Sequence, residues 1–151
     1  MLRGVSFQIP QGYSDSLNQI LRNIDVEKYH WYNDTSQAET WNPNSEDDFF
    51  VMDEYNGPEF KELIRQSYLI LFLRLLAFQV PDEFTHISSY SDFLSSACCM
   101  IILIYDCENV EIYSKDIQEI EILYNSALEN GYTGVEYITD SNDGRTSMNI
   151  R

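Results

Sequence analysis

The chain has 151 residues, 44% of them hydrophobic and 14% aromatic, with 25 acidic side chains against 9 Lys and Arg and a formal net charge of -16. That length suits one compact domain, and that apolar content is too high for a disordered acidic tail. The sign of the charge argues against docking on nucleic-acid phosphates or anionic lipid headgroups, both of which call for Lys and Arg.

Residues 1–10 carry one base, Arg3, and then an alternating segment, Val5-Ser6-Phe7-Gln8-Ile9. This pattern suits a half-buried strand and not the apolar run of a secretory signal. Pro10-Gln11-Gly12 breaks it. Ser14 or Asp15 can cap a short helix whose apolar face is Leu17, Ile20, Leu21 and Ile24. Residues 29–32 read as extended and aromatic. Residues 33–48 are polar around Asn42-Pro43-Asn44-Ser45 and read as the longest loop, and residues 49–52 read as a strand. Gly57-Pro58 turns into a helix, because Pro is tolerated at the first helical position, and Glu59 and Glu62 suit its positive N-terminal end.

Residues 67–80 are ambiguous. As the end of a long helix over 58–80 they would be apolar on every side. As a strand they would be covered on both faces, with Arg74 needing a partner or a route to water. A short helix followed by a strand is the favoured reading. The run is in any case interrupted by Arg74 and Gln79, and it is shorter than the ~20 residues of a membrane-spanning helix.

Ser88 or Ser89 caps a further short helix through Phe93 and Leu94, with Asp92 near its start. Residues 99–105 form a central strand, Asp106-Cys107-Glu108-Asn109 a turn, and residues 110–113 the partner strand of a hairpin. The clearest helix spans 115–130, begun by Ser114 or Asp116. Its buried stripe is Ile117, Ile120, Leu123, Tyr124, Ala127 and Leu128, and Asn130-Gly131 ends it. Residues 135–139 form a strand, Asn142-Asp143-Gly144-Arg145 a hairpin turn, and residues 146–150 the closing strand. The expected architecture is a single α+β domain over residues 1–151, with a mainly antiparallel sheet of about six to eight strands and about four short helices.

Several segments resemble a known family: Arg3-Gly4-Val5-Ser6-Phe7-Gln8-Ile9-Pro10, Ile20-Leu21, Tyr29-His30-Trp31, residues 102–113, Tyr137-Ile138-Thr139-Asp140 and Asn142-Asp143-Gly144-Arg145-Thr146. The family is bacterial, uncharacterised and catalogued only as a domain of unknown function, chiefly in Gram-positive species and partly prophage-derived. The likeness spans nearly the whole length, less clearly in the 42–48 loop and over 68–80. The resemblance implies a bacterial or prophage setting and transfers no catalytic residue.

Tests for chemistry find little. Cys98, Cys99 and Cys107 are an odd number with two adjacent, which suits free thiols in a reducing cytoplasm better than a disulfide framework. Cys99 at the entrance of an apolar strand would be inert. Asp106 and Glu108 would disfavour a Cys107 thiolate by like-charge repulsion, so pairing with His30 or His86 for nucleophilic catalysis has no support. No zinc spacing is present. Asp140-Ser141-Asn142-Asp143-Gly144 evokes a calcium loop, but its glycine is fifth instead of sixth and position twelve is Arg151. Glu46-Asp47-Asp48 and Asp53-Glu54 read as solvated acids, not as paired catalytic carboxylates. No catalytic residue, metal ligand or cofactor is assigned.

The charge is uneven. Residues 82–143 hold thirteen acids and one base, Lys115, and they also hold the most regular predicted structure. The bland reading is solubility. The functional reading is an acidic surface made of Asp106, Glu108, Glu111, Asp116, Glu119, Glu121, Glu136, Asp140 and Asp143 that docks on a basic protein partner, with no nucleic acid and no membrane. The most specific form is a cytoplasmic, non-enzymatic inhibitor or regulator of a host or defence protein. Eleven tyrosines suit an interface as well as a core. The alternatives are a small enzyme or ligand-binding domain with a carboxylate-lined pocket, and a subunit that pairs through a strand edge.

Overall fold

Period-two alternation turns into one large sheet. In the computed structural model, which describes residues 1–150, its eight strands are β1 (Leu2–Gln8), β2 (His30–Asn33), β3 (Glu39–Trp41), β4 (Glu54–Tyr55), β5 (Leu69–Phe78), β6 (Met100–Tyr105), β7 (Asn109–Ser114) and β8 (Thr133–Thr139). All pairings are antiparallel, in the order β4-β2-β5-β6-β7-β1-β8, and β3 also pairs with β5. Four helices accompany them: α1 (Ser16–Ile20), α2 (Gly57–Ile64), α3 (Tyr90–Ser95) and α4 (Ile117–Glu129). This is the α+β class that the patterning implied.

Alternation sends side chains to two faces, and both are buried. Val5, Phe7, Leu73, Leu75, Ile102, Ile104, Val110 and Ile112 join Leu17, Ile20, Phe60, Ile64, Leu123 and Ala127 from α1, α2 and α4 in one core. Leu76, Phe78, Ile101, Leu103 and Tyr113 join Ile87, Phe93 and Met148 in a second core. The second face is therefore roofed by the segment around α3 and by the segment of Met148 and Ile150. No helix among the described residues is long and apolar enough to cross a membrane.

The ambiguous stretch resolves as helix then strand: α2 ends at Ile64 and β5 begins at Leu69. Arg74, only 4% exposed, finds its partners on the roof of the second face. Its Nε donates to the Met148 carbonyl at 2.8 Å, one Nη donates to the Ile87 carbonyl, and the other stands 3.5 Å from the Asp34 carboxylate. A buried guanidinium thus ties β5 to both roofing segments.

Local capping chemistry places the helices. Asn56 with Glu59, and Ser89 with Asp92, form reciprocal capping boxes on α2 and α3, and Asp116 caps α4 through the Gln118 N–H. Asp15 occupies the N-cap position of α1, but its carboxylate takes the Asn18 and Gln19 amides. Gly131 follows α4 with a positive φ of 78°, the left-handed turn expected there.

Four expectations are corrected. Residues 49–52 are not a strand: Phe49 and Phe50 bend so that both rings meet Tyr68, at centroid distances of 4.8 and 5.2 Å, and the Thr40 hydroxyl takes both of their N–H groups. The 33–48 loop contains β3, which lies along the first half of β5. Residues 146–150 form no strand. One bridge, Ser89 to Ser147, stands in for a ladder, and the Arg145 guanidinium holds the Ser147 and Asn149 carbonyls. The buried stripe of α4 is rotated: Ile120, Leu123 and Ala127 are buried together with Glu119 and Ser126, while Ile117 and Leu128 are exposed.

β8 closes one end of the sheet. Three of its backbone groups turn away from β1 to the chain that follows: the Asn142 carboxamide donates to the Tyr137 carbonyl and accepts from the Thr139 N–H, and the Asp143 N–H donates to the Thr139 carbonyl.

Candidate functional site

The nine acids read as a docking face are not brought together. Glu111 and Glu136 lie in one cross-strand row with Ser6, on the sheet face of the second core. Asp116, Glu119 and Glu121 belong to α4 or its cap, on the opposite face. Asp106 and Glu108 sit in the β6–β7 turn, where Asp106 and Cys107 have positive φ values of 55° and 70° and Glu108 accepts from Gln11 at 3.1 Å.

Four of the nine are consumed inside the fold. Glu111 faces the Arg145 guanidinium at 2.9 Å and accepts the Tyr105 hydroxyl at 2.6 Å. Glu119, 5% exposed, accepts from the Tyr29 hydroxyl at 2.8 Å and the Ser114 hydroxyl at 3.2 Å, with Lys28 at 3.4 Å. Arg3 holds Asp140 at 2.8 Å and Asp143 at 3.2 Å, and Asp143 also accepts from the Tyr113 hydroxyl at 3.0 Å. A single acidic face built from these residues is therefore corrected. The bases that neutralise them come from distant parts of the chain, which a local charge count does not register.

Glu111, Glu136 and Asp143 do share one concavity of about 440 Å³, lined also by Tyr105 and Asn142. Burial and then Glu111 push the Tyr105 phenol up to about 12. Burial, then Asp143 and Glu111, likewise push the Tyr113 phenol up. Arginine and protonated phenol donors thus satisfy two of the three carboxylates, Glu111 and Asp143.

A second concavity, of about 690 Å³, opens at the other end of the same face. Tyr32 and Phe84 form its aromatic wall, with ring centroids 4.1 Å apart. Asp34, Asp53 and Glu54 supply carboxylates, and Arg74 and His86 complete the lining. Burial alone would raise the Asp34 carboxyl. Hydrogen bonds from Ser36 and Gln37, together with Arg74, outweigh that effect and hold it below its ordinary value. The His30 ring stands 3.7 Å from Glu54.

A third hollow, of about 290 Å³, lies between Tyr13 and Trp41 with Glu46 and Asp47 on its rim. Trp41 and Tyr13 are 47% and 48% exposed, and Val51 and Met52 from the same stretch are exposed as well. The last two hollows draw their acids from residues 29–60, which hold eight acids and no Lys or Arg. Apart from Asp34 and Glu39, the acids at 46, 47, 48 and 53 make no ion pair among the described residues. That gap between Lys28 and Lys61 is the sequence signal that could have found them.

Among the described residues no group of three or more His, Cys, Asp or Glu is arranged to hold a metal ion; Arg151, the twelfth position of the calcium-loop comparison, lies outside them. All three thiols are free. Burial pushes Cys98 up to about 12 and raises Cys99. Burial, then Asp106 and Glu108, raises Cys107. None is held as a ready thiolate.

A family model described as "Protein of unknown function (DUF2691)" matches residues 2–149. A Bacillus subtilis (strain 168) protein described as "Uncharacterized protein YncE" is 35% identical over 155 residues, covering 99% of this chain and 100% of that protein. No solved structure matches the chain.

Proposed function

The chain belongs to the DUF2691 family, and from that premise we propose that it is a non-enzymatic binding protein that docks an acidic, aromatic surface on a basic protein partner. The observation that carries this reading is the Tyr13–Trp41 hollow, where two half-exposed aromatic rings stand beside the Glu46 and Asp47 carboxylates, which make no ion pair among the described residues. Exposed Trp and Tyr supply the rigid area of interface hot spots. Uncompensated carboxylates around them steer a basic partner and reject an acidic one. The docking side is thus the Tyr13–Trp41 hollow with Glu46 and Asp47, not the 82–143 stretch. Inhibition of a basic host or defence protein is the most specific form of this reading.

The test is a pull-down at about 0.05 M and about 1 M salt, where screening separates electrostatic docking from apolar capture. Three baits are used: the native chain, a Trp41→Ala/Glu46→Gln/Asp47→Asn variant, and an Asp106→Asn/Glu108→Gln variant. A partner held at low salt by the first and third, released at high salt and missed by the second, supports the reading. A partner held equally by all three, one indifferent to salt, or none at all overturns it.

A further inference from the structure

The concavity walled by Tyr32 and Phe84 is distinct from the docking surface and has its own chemistry. Its volume of about 690 Å³ is that of a small-molecule site. The wall is the pair Tyr32 and Phe84, which meet at 4.1 Å with a tilt of 32°, and the fully buried Phe78 backs them at 5.6 Å from each. The Tyr32 hydroxyl is anchored on the Pro81 carbonyl at 3.0 Å, which fixes the wall to the roofing segment.

The charges in this cavity divide into spent and unspent. Arg74 is spent, with its guanidinium committed to the Met148 and Ile87 carbonyls and to Asp34. Asp34 is spent in turn, since it accepts the Ser36 N–H and hydroxyl and the Gln37 amide. The one strong cation in the lining is thus neutralised on the floor and is not free to hold an anion. Asp53 and Glu54 are different. Both are exposed at the mouth; Asp53 accepts from the Thr35 hydroxyl through one oxygen at 3.0 Å, and Glu54 is 3.7 Å from the His30 ring. Both carboxylates stand beside the aromatic wall, with Glu54 also interacting with the Tyr32 hydroxyl. An aromatic face and a carboxylate together attract an ammonium group, by ring quadrupole and by charge, while the rings bury its apolar stem.

We propose that this cavity binds a small organic cation, an alkyl- or arylammonium, with its apolar stem against Tyr32 and Phe84 and its charged head at the Asp53 and Glu54 carboxylates.

The test is a calorimetric or NMR titration of the full chain with 2-phenylethylamine, beside its neutral counterpart 2-phenylethanol. Saturable amine binding at least about tenfold tighter than the alcohol is the expected result, a difference of about 1.4 kcal/mol. The Asp53→Asn/Glu54→Gln variant changes only exposed side chains and should keep the native unfolding midpoint while losing most of that preference. Phe84→Ala should weaken amine and alcohol alike. The Trp41→Ala/Glu46→Gln/Asp47→Asn variant should bind the amine normally, which separates this site from the docking surface. Equal binding of alcohol and amine, undiminished binding by Asp53→Asn/Glu54→Gln, loss of binding in the Trp41 variant, or absence of saturation overturns the proposal.

Discussion

Residues 82–143 carry thirteen acids and one base, whereas residues 29–60 carry eight acids and no Lys or Arg. The longer stretch looks like the stronger field, and folding narrows that lead. Glu111, Glu119, Glu129, Asp140 and Asp143 meet Arg145, Lys28, Arg22 and Arg3, bases brought in from outside the stretch. In the shorter stretch Arg74 reaches Asp34, while Glu46, Asp47, Asp48 and Asp53 remain without an ion pair among the described residues. Acid count along a chain measures supply, and surface charge is what remains after distant bases have been placed. The longer stretch is thus partly stitched into the fold by distant bases, while Glu46, Asp47, Asp48 and Asp53 face outward.

The sharpest way to break this contrast is Arg74→Met. It strands two buried carbonyls and the Asp34 carboxylate, and should cost about 3–5 kcal/mol by urea unfolding. A loss near zero would mean that the two roofing segments do not depend on the guanidinium. Glu119→Leu should follow, at about 2–3 kcal/mol, because the Tyr29 and Ser114 hydroxyls lose a buried acceptor; Glu119→Gln should restore most of that. Arg145→Gln should cost about 1–2 kcal/mol, since its pair with Glu111 is only partly buried. It should also speed amide exchange at Met148, whose flanking carbonyls the guanidinium holds.

The acid limb of stability is a finer probe. Asp34 lies below its ordinary pKa in the fold, so its ionised form is favoured there. Its contribution is complete above the unfolded value of about 3.9 and is lost as pH falls through the lower folded value. Unfolding midpoints measured down to strongly acid pH should fall along this limb, and Asp34→Asn should flatten it. Smallest is Glu46→Gln/Asp47→Asn/Asp48→Asn, which should alter stability by no more than about 0.5 kcal/mol. A large loss there would place those acids in the stitched class.

Much of the fold was legible in the sequence. Alternation marked β1 and β7, continuous apolarity marked β5 and β6, Gly57-Pro58 marked the start of α2, and capping residues marked α3 and α4. The misses share a physical cause. Phe49 and Phe50 look like strand but serve as anchors, because Tyr68 and the Thr40 hydroxyl, both remote in sequence, receive them. Residues 146–150 look like a strand but are held by side chains, chiefly Arg74 and Arg145. Glu119 was counted as surface because nothing local shows that Tyr29 and Ser114 converge on it. The acidic hollows are not marked by the number of acids, which is larger in 82–143, but by the absence of bases between Lys28 and Lys61.

The turn after β8 has a consequence for how this sheet ends. An exposed strand is a template on which another chain can lay itself. Here the Asn142 carboxamide offers the donor and acceptor that an incoming backbone would use, and Asp143 fills the next place. A foreign strand must first evict this built-in mimic and forfeit bonds worth about 0.5–1.5 kcal/mol each. Propagation at that rim is thus discouraged by a single side-chain amide, a chain terminator written into the loop.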